Sequence, residues 1–317
     1  MKGRIFIITL VAVIAAGCGQ NRKAEQFQAL PFPDVKIPAM MTGSADVAEY
    51  ISMHYWDGLT DPSRDYPCDS LYVSGVNKED VEQKFADWNA VLGILPRSIA
   101  DKAVNALYEK AVACERKDTS SNVLDTFVML AEKYFYDPNS PVRNEDHYHA
   151  FVRNLASFEG FDEAVRGKYA YQARMTALNR EGTIAADFRF ADKNGRIHSL
   201  HGINAPMTLL FFSNPGCDAC MEIIKVLSGH EGIASMIADG RLAVLNIYID
   251  EDIQAWREYM PIYPEQWYNG FDPDLVIRGE TLYNVRAIPS LYLLDHEKRV
   301  ILKDAPENRV FETLLSR

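Results

Sequence analysis

The sequence has no apolar run long enough to cross a bilayer comfortably. Its amino-terminal run, Ile5–Ala16, holds twelve residues, whereas a spanning helix needs about 20. A basic excess is also missing: 33 Lys and Arg stand against 44 Asp and Glu, a net charge of −11. That balance excludes the basic face of a nucleic-acid binder. The negative charge is spread over both halves with no acidic tail, and reads as a diffuse, solvated surface. No repeat period is visible, which excludes a solenoid. Cysteine is scarce at five residues. With 48% hydrophobic, 11% aromatic and 24% charged residues, the composition is that of a globular protein. A disordered tail, a collagen-like fibre and a polytopic membrane protein are thereby excluded. The 317 residues suggest about two domains, each able to bury a core.

The amino terminus carries an address. Lys2 and Arg4 precede the apolar run, and small residues lead to Cys18 in Ala15-Ala16-Gly17-Cys18. This pattern resembles a bacterial lipobox, in which residues 1–17 are a signal peptide and Cys18 becomes the lipidated first residue. Acyl chains on Cys18 would tether the protein to a membrane. The following GQNRKAEQ has no Asp beside the Cys and no early acidic cluster. By resemblance to envelope lipoproteins, that favours an outer-membrane anchor facing the periplasm. Residues 18–43, with Pro31, Pro33 and Pro38 close together, are expected to form a tether.

Residues 44–180 are expected to form an all-α domain of five or six helices. Val81, Phe85, Trp88, Leu92 and Leu95 lie on one face of a 3.6-residue helix, as do Val123, Phe127, Leu130, Ala131 and Tyr134. Tyr148, Phe151, Val152, Leu155 and Phe158 form another stripe, and Asp46 to Trp56 a shorter one. Pro96 and the Asp137-Pro138-Asn139-Ser140-Pro141 cluster separate them. From Gly182 the period changes. Asp187-Phe188-Arg189-Phe190 alternates, Asn194-Gly195 signals a hairpin, and Met207–Phe212 is a continuous apolar strand. A helix from Cys217, a strand over 242–249, a helix over 253–259, strands at 290–294 and 300–302 and a helix over 309–315 follow. Residues 183–317 therefore read as an α/β domain with a central sheet flanked by helices.

The chemistry concentrates in Cys217-Asp218-Ala219-Cys220, which ends the loop after a strand and opens a helix. Two cysteines three apart can close a disulfide across one turn. The free N–H groups and positive dipole end of the helix favour the Cys217 thiolate. Thiol–disulfide exchange needs such a thiolate and a second thiol to resolve the mixed disulfide. A CxxC is also half a zinc site, but a second CxxC or a Cys/His pair at ligand spacing is missing. His198 and His201 would help only if the fold brought them close, so no metal and no cofactor is expected. His147 and His149 are two apart, face different sides of a helix and are read as solvated.

In this order of elements, Ala186-Asp187-Phe188, Asn194-Gly195, the CDAC motif and Ile288-Pro289 resemble the thioredoxin superfamily. The nearest likeness is to TlpA/ResA-like envelope thiol–disulfide oxidoreductases, over residues 183–317. The resemblance implies a cis Pro289 beside the redox pair, with the Ile288 backbone binding the substrate strand. It also implies net reduction of periplasmic protein disulfides and an upstream electron donor. Three positions depart from the family. Gly216 stands where Trp is usual, Ala219 where Pro is common, and Phe211 where thioredoxin buries an acid. Asp218 and Glu222 are the nearest acids in sequence. The helical half resembles, by architecture, an uncharacterised domain ahead of thioredoxin-like domains in Bacteroidetes-type lipoproteins. Its Cys68 and Cys114 could bridge, stabilising the fold by about 4 kcal/mol on a chain-entropy model, or stand as separate thiols. A second functional reading stays open: a binding or scaffolding lipoprotein whose helical half recognises a partner and whose CxxC is a redox-inert structural disulfide.

Overall fold

A computed structural model describes residues 27–316. The signal-peptide reading of 1–17 and the lipidation site Cys18 lie outside the described residues. The amino-terminal half contains α1 (Ser44–His54), α2 (Lys78–Gly93), α3 (Arg97–Lys117), α4 (Val123–Ala131), α5 (Glu145–Leu155) and α6 (Glu163–Thr176). A single π-helical turn, Glu132–Tyr136, continues α4. The half also holds a two-residue hairpin, β1 (Tyr72–Val73) with β2 (Val76–Asn77), which the sequence did not suggest. Its core is aromatic. Trp56 meets Phe127 edge-on at 4.7 Å and Trp88 at 5.9 Å, and Phe85 packs 5.1 Å from Phe135. The stripes named above supply these side chains except Phe135, which comes from the π-helical turn, because residues four apart share a helix face. Side chains start the later helices: the Asn144 carboxamide oxygen accepts from Asp146 and His147 N–H, and Asp162 accepts from Val165 N–H, satisfying otherwise orphaned donors.

The segment expected as the far part of a tether is partly docked. Leu30 N–H donates to Gly75 carbonyl at 2.9 Å, Phe32 meets Trp56 edge-on at 5.6 Å, and Phe27 packs on Tyr72 at 5.2 Å.

The carboxyl-terminal half is a seven-stranded mixed sheet. Its elements are β3 (Arg189–Asp192), β4 (Ile197–Ser199), β5 (Met207–Phe212), α7 (Asp218–Gly229), α8 (Glu231–Ala238), β6 (Leu242–Tyr248), α9 (Ile253–Tyr259), β7 (Tyr268–Phe271), α10 (Val276–Gly279), β8 (Ser290–Asp295), β9 (Val300–Leu302) and α11 (Glu307–Leu315). The strand order is β4-β3-β7-β6-β5-β8-β9. The β5–β6 and β6–β7 pairs are parallel and the others antiparallel. All six residues of β5 are buried, as expected of a central strand covered on both faces. Alternation along it sends Met207, Leu209 and Phe211 to the face covered by α7, α8, α9 and α11. Leu210 and Phe212 go to the face covered by Phe188, Leu200, Ile277 and Tyr283. No helix among the described residues is long and apolar enough to cross a membrane.

The two halves meet across a buried polar seam. Glu145 and Asp146 are each 1% exposed, Asp304 5% and Lys303 4%. Reading all the charge as a solvated surface is therefore wrong at this seam. His147 is also buried rather than solvated, and His149 is half-buried with its Nδ1 3.1 Å from Thr176 Oγ1. The helix carrying both is covered on more than one side, which two-residue spacing cannot reveal.

Candidate active site

The central strand β5 ends at Phe212, and five residues later Cys217 forms the N-cap of α7. Its Sγ accepts from Cys220 N–H at 3.1 Å. The two cysteines are joined by a disulfide, with Cα atoms 5.2 Å apart. Cys217 is partly exposed, while Cys220 is 2% exposed and packs among Ile223, Ile224 and Leu291. One sulfur of the pair thus faces outward at a helix start, and the other faces the core. Gly216 has φ +72°, a left-handed conformation that favours glycine over any bulky residue. That is the local reason a Trp does not fit the position before the pair.

Register brings the second expected element to the same place. The last residue of β5, Phe212, pairs with the first of β8, Ser290, so the Cys217 loop and Ile288–Pro289 leave the sheet at one end. The Ile288–Pro289 peptide bond is cis, and Ile288 packs in the same cluster as Cys217 and Cys220.

Where an acid was absent from the sequence, Phe211 is fully buried on the α7 face. Beside it lies a neutral polar chain. The Ser213 hydroxyl donates to the Asn246 carboxamide oxygen, the Asn246 amide donates to Asn269 Oδ1 at 3.1 Å, and Asn269 donates to Pro264 carbonyl at 2.8 Å. The Tyr263 phenol stands by Ser213 and Asn246, and burial pushes its pKa up. Asp218 and Glu222, the acids nearest in sequence, are exposed, and Glu222 pairs with Lys225 at 2.6 Å. The carboxylate tied to the loop is instead Asp250, which accepts from Asn214 at 2.8 Å and pairs with Arg278 at 2.9 Å. Sequence reasoning missed it. Its signal was an acid directly after an apolar strand, the place where α/β folds present side chains to a site.

His198 and His201 do not join the cysteines. His198 stacks on Phe190 and lies 3.2 Å from Asp192, and His201 Nε2 is 2.8 Å from Ala185 carbonyl. Among the described residues, no group of three or more His, Cys, Asp or Glu is placed to hold a metal. Cys68 and Cys114 are free thiols that line one cavity of about 250 Å³. Ser74 N–H donates to Cys68, and Cys114 lies 3.7 Å from Thr60 carbonyl. Burial, and Cys68 beside it, push the Cys114 thiol up.

A Cys-x-x-Cys disulfide at the head of a helix, on a mixed sheet ordered in this way, is the arrangement of a thioredoxin-like protein. The amino-terminal half carries a second identity. The chain belongs to the family described as a domain of unknown function, DUF5106, whose model matches residues 15–179. Along almost its whole length the chain is similar to a thioredoxin-like protein from Bacteroides caccae. The two are 33% identical, with a TM-score of 0.78, covering 92% of this chain and 100% of that one. The C-terminal domain of an uncharacterized protein from Bacteroides fragilis is 42% identical over 43% of this chain and 98% of its own, with a TM-score of 0.42. A conserved protein of unknown function from the same organism is 35% identical over 43% of this chain and 98% of its own, also with a TM-score of 0.42. No curated protein matches the chain.

Proposed function

We propose that the protein is a lipid-anchored envelope oxidoreductase that reduces disulfides in periplasmic proteins through Cys217 and Cys220. The asymmetry of the pair is the observation that carries this reading. Cys217 is reachable from solvent at the start of α7, and Cys220 is buried behind it. In the reduced protein the Cys217 thiolate attacks a substrate disulfide. A mixed disulfide forms and one substrate thiolate leaves. Cys220, as thiolate, then attacks Cys217 Sγ, releasing the second substrate thiol and closing the Cys217–Cys220 bond. Two electrons pass to the substrate, so an upstream dithiol donor must restore the pair. Ile288–Pro289 would line the groove that receives the substrate strand. Residues 18–43 would join the anchor to the body, with the part from Phe27 docked on the helical half and with 44–180 and 183–317 as the two domains, anchored through Cys18 to the outer membrane facing the periplasm.

Replacing the resolving thiol tests the reading. A Cys220→Ala chain should accumulate envelope proteins disulfide-linked to Cys217, visible as adducts that collapse on reduction. No Cys217-linked adduct would count against exchange and favour a binding lipoprotein. Equilibration of the pair with dithiothreitol or glutathione buffers sets the direction. A potential near about −270 mV marks a reductant, and one near about −120 mV an oxidant. Cys18→Ser should move the chain from the membrane to the soluble fraction.

A further inference from the structure

The segment that brings Ile288–Pro289 to the cysteines is held on both sides by charges buried between the two halves. Two residues before it, Arg286 places Nε 2.8 Å from Glu145 Oε1 and Nη2 3.3 Å from Asp304 Oδ2. Its guanidinium lies 4.0 Å over the Tyr136 ring, and Nη1 donates to the Tyr136 carbonyl. Immediately after it, Ser290 Oγ donates to Asp304 Oδ1 at 2.7 Å. The helical half supplies the rest of the cluster. Glu145, its side chain fully buried at the first position of α5, also accepts from Asn284 at 2.9 Å and faces Lys303 Nζ at 3.0 Å. Arg143 donates to the carbonyls of Asp304 at 2.8 Å and Ala305 at 3.2 Å. Tyr136, on the π-helical turn, is sandwiched between Arg286 and the Tyr148 ring, which stacks on it at 4.3 Å.

The geometry points to Glu145 as a positioning residue: through Arg286 and Asn284 it sets the Ile288–Pro289 segment against Cys217, making the helical half part of the exchange site. This rests on the exchange reading above. A groove that docks a polypeptide must hold its backbone within a fraction of an ångström, and a shift of about 1 Å can cost on the order of a hundredfold in rate. Buried ionic clusters supply such fixed geometry, because no member can move without leaving a charge unpaired. A small disulfide needs only the cysteines and not the groove. The two kinds of substrate should therefore separate.

The test uses the full chain, reduced beforehand, in single turnovers against two probes: hydroxyethyl disulfide, a small linear disulfide, and insulin. Glu145→Gln should keep the wild-type potential and the wild-type rate with hydroxyethyl disulfide. Its second-order rate with insulin should fall about tenfold, with saturation shifted to higher insulin concentration. Arg286→Lys, which keeps the charge and loses the fork and the stack, should do the same and carries the test if Glu145→Gln does not fold. Full insulin activity in a folded variant overturns the proposal. An equal loss with both probes also overturns it, since that is a general defect. A wild type that reduces hydroxyethyl disulfide and leaves insulin untouched overturns it as well. A wild type inert to both probes removes the exchange reading and the positioning role together.

Discussion

Phe211 and Asn246 are register partners across the parallel β5–β6 ladder, both on the sheet face covered by α7, and neither can ionise. The pair leaves Cys220 without a buried acid on the adjoining strands. In the exchange proposed above, proton transfer from Cys220 would then pass through solvent or through neutral groups such as Ser213. The wild-type rate of exchange should therefore follow one ionisation, that of the attacking thiol, between about pH 5 and about pH 9. Asn246→Asp would place a carboxylate beside Ser213 and opposite Asn269 Oδ1. It should add a second ionisation, raised by burial, and cost about 1–3 kcal/mol of stability for the lost amide donor. A wild-type profile that already shows two ionisations would show that another group, with Asp250 the first to check, supplies the proton route.

His147 makes the seam between the halves sensitive to acid. Burial, with Arg309 adding to it and Asp146 opposing, pushes its pKa down to about 3 from the ordinary 6.5. The folded state thus holds it neutral, while the unfolded chain takes up a proton as pH falls below about 6.5. Its contribution is fully present above that pH and is lost progressively towards about pH 3. Between about pH 7 and about pH 5 this group alone removes about 2 kcal/mol. Asp304, pushed up to about 6 by burial and by Glu145 beside it, acts in the opposite direction, gaining stability as pH falls. His147→Gln isolates the first effect. Its unfolding free energy from urea titration should change less between the two pH values than that of the wild type, by about 2 kcal/mol. Identical pH dependence in the two chains would mean that His147 titrates normally.

The helices and strands with strong apolar contrast were legible in the sequence, and those without it were not. Val81, Phe85, Trp88 and Leu92 are all buried on α2 as their spacing implies, while Leu95 falls beyond the helix end. The longest helix, α3, went unmarked because Ala100, Ala103 and Ala111 alternate on its buried face with Val104, Leu107, Tyr108 and Val112, and these small residues dilute the contrast with the polar face. Strand β7 was hidden because Asn269 and Gly270 have low strand propensity, and only pairing with β6 and β3 holds them extended. The cysteine pair could be placed at a helix start because strand, loop and helix are local. The Glu145, Arg286 and Asp304 cluster could not be read, since its members come from distant parts of the chain and each alone looks like a solvated charge.

Gly58 governs how much of the amino-terminal segment is free. A Cβ there would overlap Pro33, and Pro33 sits beside Phe32, which packs on Trp56. Gly58→Ala should therefore lift residues 27–35 from the helical half while leaving the aromatic core in place. The expected result is cleavage in that segment accelerated on the order of tenfold under limited proteolysis. The cost to global stability should be only about 1 kcal/mol. Unchanged cleavage would mean that the segment is held by Leu30 and Phe27 without Pro33.

The four thiols of the described residues should separate by reactivity, because environment rather than number sets thiolate formation. In the reduced chain Cys217 has partial exposure, a helix N-terminus and the Cys220 N–H aimed at its sulfur. Cys114 has similar exposure but lies near the carboxyl end of α3, where the helix dipole disfavours an anion, and burial raises its pKa further. Cys220, 2% exposed, has little access for any reagent. Brief iodoacetamide treatment followed by peptide mass mapping should label Cys217 first, on the order of tenfold faster than Cys114, and Cys220 last. Labelling of Cys68 or Cys114 ahead of Cys217 would remove the nucleophile assignment. It would move attention to the thiol-lined cavity in the helical half, where a reactive pair would then need its own partner.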